Sequence, residues 1–338
     1  MPKAKYENDC DAPLSVAVWL ADDDYSFNPD ERALSCTDLL KSHRQLVLRQ
    51  RRLAVMSANP QIAVEAIKLS TRVASRMGQS IHAGIEHTWN NNAAEALMKL
   101  GYPERVANKV VINPDPDSDL EDKIPIYMEI RNEREIEGFT ISGQFDFCIE
   151  GRLEDFKSTS VFTYTNQTNA DKYVKQGSIY RWLNPKIVTE DIFNINYIFT
   201  DWSKNMARGA NYPSQRVMAQ TFNLMPVSET ESWIRQKLIT IKNLESVPEP
   251  ELPDCTPEEL WQKEPKYKYY SDPNKAAAGG RATKNFDDKM SAQLHLSEKG
   301  KGTIITVPGE VVACKYCDEF DACTQKDRLI AAGALRME

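Results

Sequence analysis

The chain has 338 residues, 41% of them hydrophobic and 27% charged, with 14 Gly and 18 Pro, a composition that builds a buried core and excludes collagen, coiled coil and wholesale disorder. The early apolar stretch Leu14 to Ala21 falls well short of the ~20 residues of a membrane span and the N-terminus is acidic, so the expectation is a cytoplasmic protein without a membrane partner. Forty-two Lys and Arg against 49 Asp and Glu give a net charge of −7, which at face value argues against a polyanionic partner.

The distribution of that charge weakens the objection. Residues 1–32 hold eight acids against three bases, and the stretch 113–122 holds five acids (Asp115, Asp117, Asp119, Glu121, Asp122) and no base, so everything else is net +3. The organisation expected is an acidic arm over 1–32 followed by one domain over 33–338. Seven cysteines, an odd number, argue for reduced thiols or metal ligands over a disulfide framework.

Taken in chain order, Ser35-Cys36-Thr37-Asp38 opens an apolar-periodic helix through Leu39, Leu40, Leu46 and Val47 that ends in Arg49, Arg51 and Arg52. A second helical stretch runs from Pro60 to about Leu100, with breaks expected near Gly78 and Asn90 to Asn92. Residues 113–122 form an acidic loop. Strands then follow at Ile124 to Ile130, Phe139 to Ile149 and Leu153 to Lys157, with a turn at Glu150-Gly151. Asp171 to Leu183 reads as a helix stopped by Asn184-Pro185. Ile192 to Phe199 reads as a strand covered on both faces, and Val227 to Leu244 as a long amphipathic helix. Residues 247–289 read as loop-rich. This order implies an α/β fold, a mixed central sheet flanked by helices.

The segment that carries chemistry is Gly143 to Lys157. A two-residue loop at Glu150-Gly151 sets Asp146 opposite Asp155 and Gln144 opposite Lys157, with Phe145, Phe147 and Phe156 on the other face. Facing carboxylates repel unless a cation lies between them. Oxygen ligands with open positions suit Mg²⁺ or Mn²⁺, and such an ion beside a lysine equips a site for phosphodiester hydrolysis. By itself the pattern fits a solvated surface hairpin better than a metal site. Upstream, His82 and Glu86 share a helix face one turn apart, and downstream Gln176 and Tyr180 do the same.

In order, Gly78, His82 and Glu86 (G-x-x-x-H-x-x-x-E), Gly143 and Asp146 (G-x-x-D), Asp155 and Lys157 (D-x-K), and Gln176 and Tyr180 (Q-x-x-x-Y) resemble the motifs of the RecB-like branch of the PD-(D/E)XK nuclease superfamily. The motif core spans residues 78–200. The resemblance implies a restriction-endonuclease-like core and a Mg²⁺- or Mn²⁺-dependent DNA nuclease, an exonuclease in recombination, repair or phage DNA processing. A structure-specific endonuclease, and a catalytically idle subunit that binds DNA or a recombination or replication protein, are the alternatives. It further implies that His82, Asp146, Asp155 and the Phe156 carbonyl hold the metal, that Lys157 is catalytic, and that Glu86, Gln176 and Tyr180 support the site.

Iron–sulfur members of this group join one cysteine of the first helix to a C-terminal C-x-x-C-x-x-x-x-x-C, the spacing of Cys314, Cys317 and Cys323, in a staple spanning 314–323. Here Ser42 stands at the first-helix position. Cys36 completing a [4Fe–4S] cluster, His43 completing a Zn²⁺ site, and no metal at all remain open. For DNA, Arg44, Arg49, Arg51 and Arg52, and Lys266, Lys268, Arg281 and Lys284 among the aromatics of 247–289, are the expected phosphate contacts. If the acidic arm screens that binding, deleting residues 1–30 gives tighter and more salt-sensitive DNA binding in a titration at two ionic strengths.

Overall fold

In a computed structural model of the chain, residues 6–22, 28–59 and 66–337 are described. Residues 1–5 and 23–27 of the acidic arm, and 60–65 of the expected second helix, lie outside the described residues. The main elements are α1 (Leu14–Ala21), β1 (Ala33–Ser35), α2 (His43–Ala58), α3 (Val73–Lys99), β2 (Val110–Ile112), β3 (Ile124–Ile136), β4 (Phe139–Ile149), β5 (Arg152–Thr159), α4 (Ala170–Leu183), β6 (Ile192–Phe199), β7 (Val217–Asn223), α5 (Val227–Leu244), β8 (Lys266–Tyr270), β9 (Lys284–Phe286), α6 (Lys289–Lys299), β10 (Thr303–Val307) and α7 (Thr324–Ala331). The fold is α/β, a mixed central sheet flanked by helices, and the chain divides into two compact units.

The first unit, Met1–Leu40 with Val55–Ile239, is built on a seven-stranded sheet in the order β2-β3-β4-β5-β6-β7, with β1 also on β4. Two tight turns set its register. Glu137 and Gly138 (φ 51° and 74°) join β3 to β4, and Glu150 and Gly151 (φ 49° and 78°) join β4 to β5. Two successive positive φ values mark the hairpin turns whose twist matches the strands they link. β4 is paired with β3 from Phe139 to Ile149 except at Asp146. Its other edge is shared: β1 takes Thr140 to Ser142, and β5 takes Phe147 to Ile149. Residues 143–146 lie between these two ladders.

Side-chain alternation changes phase in that interval. Phe147 packs on Trp89 of α3, with ring centroids 5.2 Å apart, whereas Phe145 packs on Tyr180 of α4 at 6.5 Å. The expectation that Phe145, Phe147 and Phe156 share a face therefore holds only for Phe147 and Phe156, which join one apolar cluster. The pairing of Asp146 with Asp155 is also corrected, because the β4–β5 ladder runs no further than Phe147 and Glu154.

Three other expectations change. α3 runs unbroken through Gly78 and Asn90 to Asn92, since its packing outweighs the roughly 1 kcal/mol helix penalty of a glycine. β6 alternates buried with half-buried residues, so only one of its faces is core. The first helix divides: Ser35 caps a single turn, Cys36–Leu39, with a reciprocal bond to Asp38, and α2 starts afresh at His43 and carries its arginines along its length.

The second unit, Lys41–Ala54 with Thr240–Glu338, contains an antiparallel sheet in the order β9-β8-β10. β8 and β9 fall within the segment expected to be loops. Tyr269 and Tyr270 of β8 are buried, Tyr269 against His295 of α6 at 4.8 Å, so neither is a free platform for base stacking. A separate cluster gathers Leu260, Val311, Ala334 and Leu335 with Cys255 and Cys314 beside them.

Gly143 explains one motif position. A Cβ there would lie 2.8 Å from Leu183 and 3.1 Å from the Tyr180 ring, so only glycine lets α4 approach β4. Gly143→Ala is expected to cost about 1–3 kcal/mol by forcing these side chains aside, read as a lower urea midpoint with unchanged m-value.

Candidate metal centre

The interval between the two ladders of β4 holds the candidate centre. Asp146 points its carboxylate at β5 and accepts the Phe156 N–H at 2.9 Å. His82, from the middle of α3, comes within 2.8 Å of the Phe156 carbonyl through Nε2 and places Nδ1 3.5 Å from Asp146 Oδ2. With Nε2–H donating to that carbonyl, the Nδ1 lone pair faces the carboxylate, which is the tautomer a ligand needs. Gly78, one turn before His82, brings α3 onto β5: a Cβ there would sit 3.1 Å from Ser158 Oγ.

The third member is Glu129 of β3. Ligating atoms of His82, Glu129 and Asp146 all lie within 4.8 Å of one another, and among the described residues no other such group of His, Cys, Asp or Glu occurs. An imidazole nitrogen with two carboxylates suits a divalent cation. Glu129 has φ 53°, a left-handed conformation unusual for a side chain of its size. Gln144 steadies it, donating to Oε2 at 2.6 Å while accepting from Arg131 at 2.8 Å.

The expected ligands divide accordingly. Asp155 stands outside the trio and the Phe156 carbonyl engages His82. Asp155, 1% exposed, forms an ion pair with Lys157, and Gln176 Nε2 donates to its Oδ1 at 3.2 Å and to the Tyr180 hydroxyl at 3.1 Å. Gln176 and Tyr180 thus position Asp155 from α4. Glu86 lies a turn beyond His82 and its charge bears on Glu129.

Electrostatics follow from burial. The Asp146 carboxyl is pushed up to about 7, first by burial and then by the charge of Asp155. Burial likewise raises Glu129, against the opposing hydrogen bond from Gln144. Burial works to discharge Lys157, but the Asp155 and Asp146 carboxylates outweigh it and hold the ammonium above the usual lysine range.

Sequence reasoning missed Glu129, though its signal was present. Glu137-Gly138 is a second two-residue turn that pairs Ile136 with Phe139. Continued along the hairpin, that register pairs Met128 with Phe147 and Ile130 with Phe145, which leaves Glu129 opposite Asp146.

The arginines expected to meet DNA are engaged within the second unit. Arg44 (1% exposed) pairs with Glu249 and Asp254, and Arg49 is 7% exposed. Arg51 donates to the carbonyls of Leu244, Glu245 and Val247, and Arg52 pairs with Glu319 at 2.8 Å. Buried in this way, Arg44 and Arg49 present no surface to a phosphate, and that expectation is corrected for these two. On the small sheet Lys266, Arg281 and Lys284 are exposed and Lys268 half-buried. Lys266 pairs with Asp287, and Lys284 covers the Phe286 ring at 4.9 Å. Cys36 is buried in the first unit, its thiol 3.7 Å from the Gln176 carbonyl. It is spent on packing there. Among the described residues no helix is long and apolar enough to cross a membrane.

No protein-family model and no curated protein matches the chain. Among solved structures it is similar to the protein SSO0001, with 16% identity and a TM-score of 0.35 over 64% of this chain and 79% of that one. It is also similar to an alkaline exonuclease from Laribacter hongkongensis (8%, 0.31, 62% and 88%). A phage-related exonuclease from Haemophilus somnus 129PT aligns at 14% identity and 0.32, over 63% of this chain and 96% of that one. Likenesses of this size decide nothing about chemistry, which rests on the site.

The shift at Asp146 has a consequence for the metal-free protein. Between its ordinary 3.8 and about 7, the folded state keeps a proton that the unfolded chain has released, so stability falls as pH rises through that window and levels off above it. Asp146→Asn, which can still accept the Phe156 N–H, is expected to flatten this dependence and to melt above wild type at pH 8 in EDTA.

Proposed function

We propose that the protein is a metal-dependent DNA nuclease of the RecB-like PD-(D/E)XK type, hydrolysing phosphodiester bonds as an exonuclease. The observation that carries this reading is the meeting of His82, Glu129 and Asp146 at the break in the β4 ladder, beside the buried Asp155–Lys157 pair. Residues 33–338 act as one nuclease domain with an acidic arm before it, in the cytoplasm, in recombination, repair or phage DNA processing alongside a recombination or replication protein.

His82, Glu129 and Asp146 hold the cation, with Asp155 close enough for its charge to bear on Asp146. Mg²⁺ or Mn²⁺ bound there supplies Lewis-acid polarisation of a phosphoryl oxygen and an acidified water. The chain's own contributions are three. His82, oriented by the Phe156 carbonyl, fixes the face of the site that α3 closes. Asp155, clamped by Gln176, holds the Lys157 ammonium at the reacting phosphate. Lys157, kept charged, donates to a non-bridging oxygen as negative charge builds in the transition state. Water adds across a P–O bond, leaving a phosphate monoester and a hydroxyl. Lys266, Lys268, Arg281 and Lys284 serve the sugar–phosphate backbone of incoming DNA.

The test is digestion of linear and circular, single- and double-stranded DNA with Mg²⁺ or Mn²⁺ and with EDTA. Wild type is expected to degrade linear DNA only with metal. Asp155→Ala, Lys157→Ala and Glu129→Gln each lower the rate about 10²-fold or more, the scale of removing one preorganised transition-state contact. Wild type that leaves every substrate intact with either metal sinks the reading.

A further inference from the structure

Cys314, Cys317 and Cys323 line a pocket in the second unit, and a fourth cysteine, Cys255, lines it with them. Neither His43 nor Cys36 is among its walls. Cys255 comes from the loop after Leu252, and its thiol lies 3.2 Å from the hydroxyl of Ser42, which is 2% exposed just before α2. The loop is clamped there. Gln325, at the start of α7, accepts the Cys255 N–H at 2.9 Å and donates to the Cys255 carbonyl at 3.1 Å.

The other sulfurs also receive donors. Arg44 Nε points at Cys323 Sγ from 3.2 Å, and Gln45 Nε2 at Cys317 Sγ from 3.5 Å. A guanidinium buried to 1% exposure is costly, and aiming one of its donors at a sulfur suits a thiolate better than a neutral thiol.

We propose that the pocket is a four-thiolate [4Fe–4S] site with Cys255, Cys314, Cys317 and Cys323 as ligands, Ser42, Arg44 and Gln45 supplying hydrogen bonds to the sulfurs. Sulfur spacing selects a cluster over a single zinc ion. Tetrahedral Zn²⁺ with bonds of about 2.3 Å draws its four sulfurs to about 3.8 Å of one another. Among the described residues the cysteines form no compact ligand group of the kind that His82, Glu129 and Asp146 make. A cubane engages one thiolate at each of four separated iron corners and needs that wider set. Each cysteine loses its thiol proton on forming an Fe–S bond, and the iron and inorganic sulfide come from outside the chain. The assignment moves the fourth ligand from the start of α2, where Ser42 stands, to the loop that faces it.

The experiment is anaerobic purification of the full chain with measurement of iron, acid-labile sulfide, zinc and visible absorption, none of which depends on the nuclease reading. Wild type is expected to be brown, with about four irons and four sulfides per chain. Cys255→Ala is expected to lose at least tenfold in both, while Cys36→Ala and His43→Gln keep wild-type content. To separate ligand loss from misfolding, Ser42→Cys is combined with Cys255→Ala, which returns a thiol beside the vacated position, where the Ser42 hydroxyl lies 3.2 Å from the Cys255 sulfur; recovery of iron and colour supports the assignment. Zinc without sulfide in wild type, full iron in Cys255→Ala, iron lost in His43→Gln, or a double variant that stays colourless overturns it.

Discussion

The hydrogen bond from the Phe156 N–H to the Asp146 carboxylate is the contact on which the centre depends. β4 loses its neighbour between Ser142 and Phe147, and a bare strand edge inside a sheet leaves backbone groups in want of partners. Asp146 answers that want with its side chain. In doing so it links β4 to β5, turns toward His82, and leaves the Phe156 carbonyl to orient the imidazole. One carboxylate therefore performs a structural task and a chemical one, and burial beside Asp155 raises its pKa in spite of the Phe156 N–H that favours its charge.

Much of this was legible in the chain. Strand and helix periods place β4, β5, α4 and α5 nearly to the residue, and Glu150-Gly151 gives the local register of its hairpin because a two-residue turn admits few conformations. What failed was the assumption that alternation persists. A strand edge shared by two partners can change phase between them, and nothing in the composition of Gly143 to Phe147 announces that β1 will take one part of that edge. β1 arrives from far upstream, and local pattern has no hold on so distant a partner.

The arginines of α2 fail for another reason. A cationic run reads as a surface for phosphate when partners are unknown, yet here guanidinium groups fasten the second unit from within, Arg44 alone reaching Glu249, Asp254, Leu252 and Cys323. Cys255 was overlooked likewise, as an isolated cysteine, because its relation to the C-terminal three exists only in space. Ser42, by contrast, marked the place where a sulfur was missing.

Glu129 sits in a backbone conformation that glycine or asparagine adopts far more comfortably. A sequence optimised for folding alone would put one of those there and relax the hairpin. The chain instead retains a long acid, desolvated and bent out of its preferred geometry, at the one point of β3 that looks across at Asp146. Robustness and reactivity are thus opposed at a single residue. Efforts to harden this fold by consensus or turn repair would erase the centre first, while leaving every helix and strand in place.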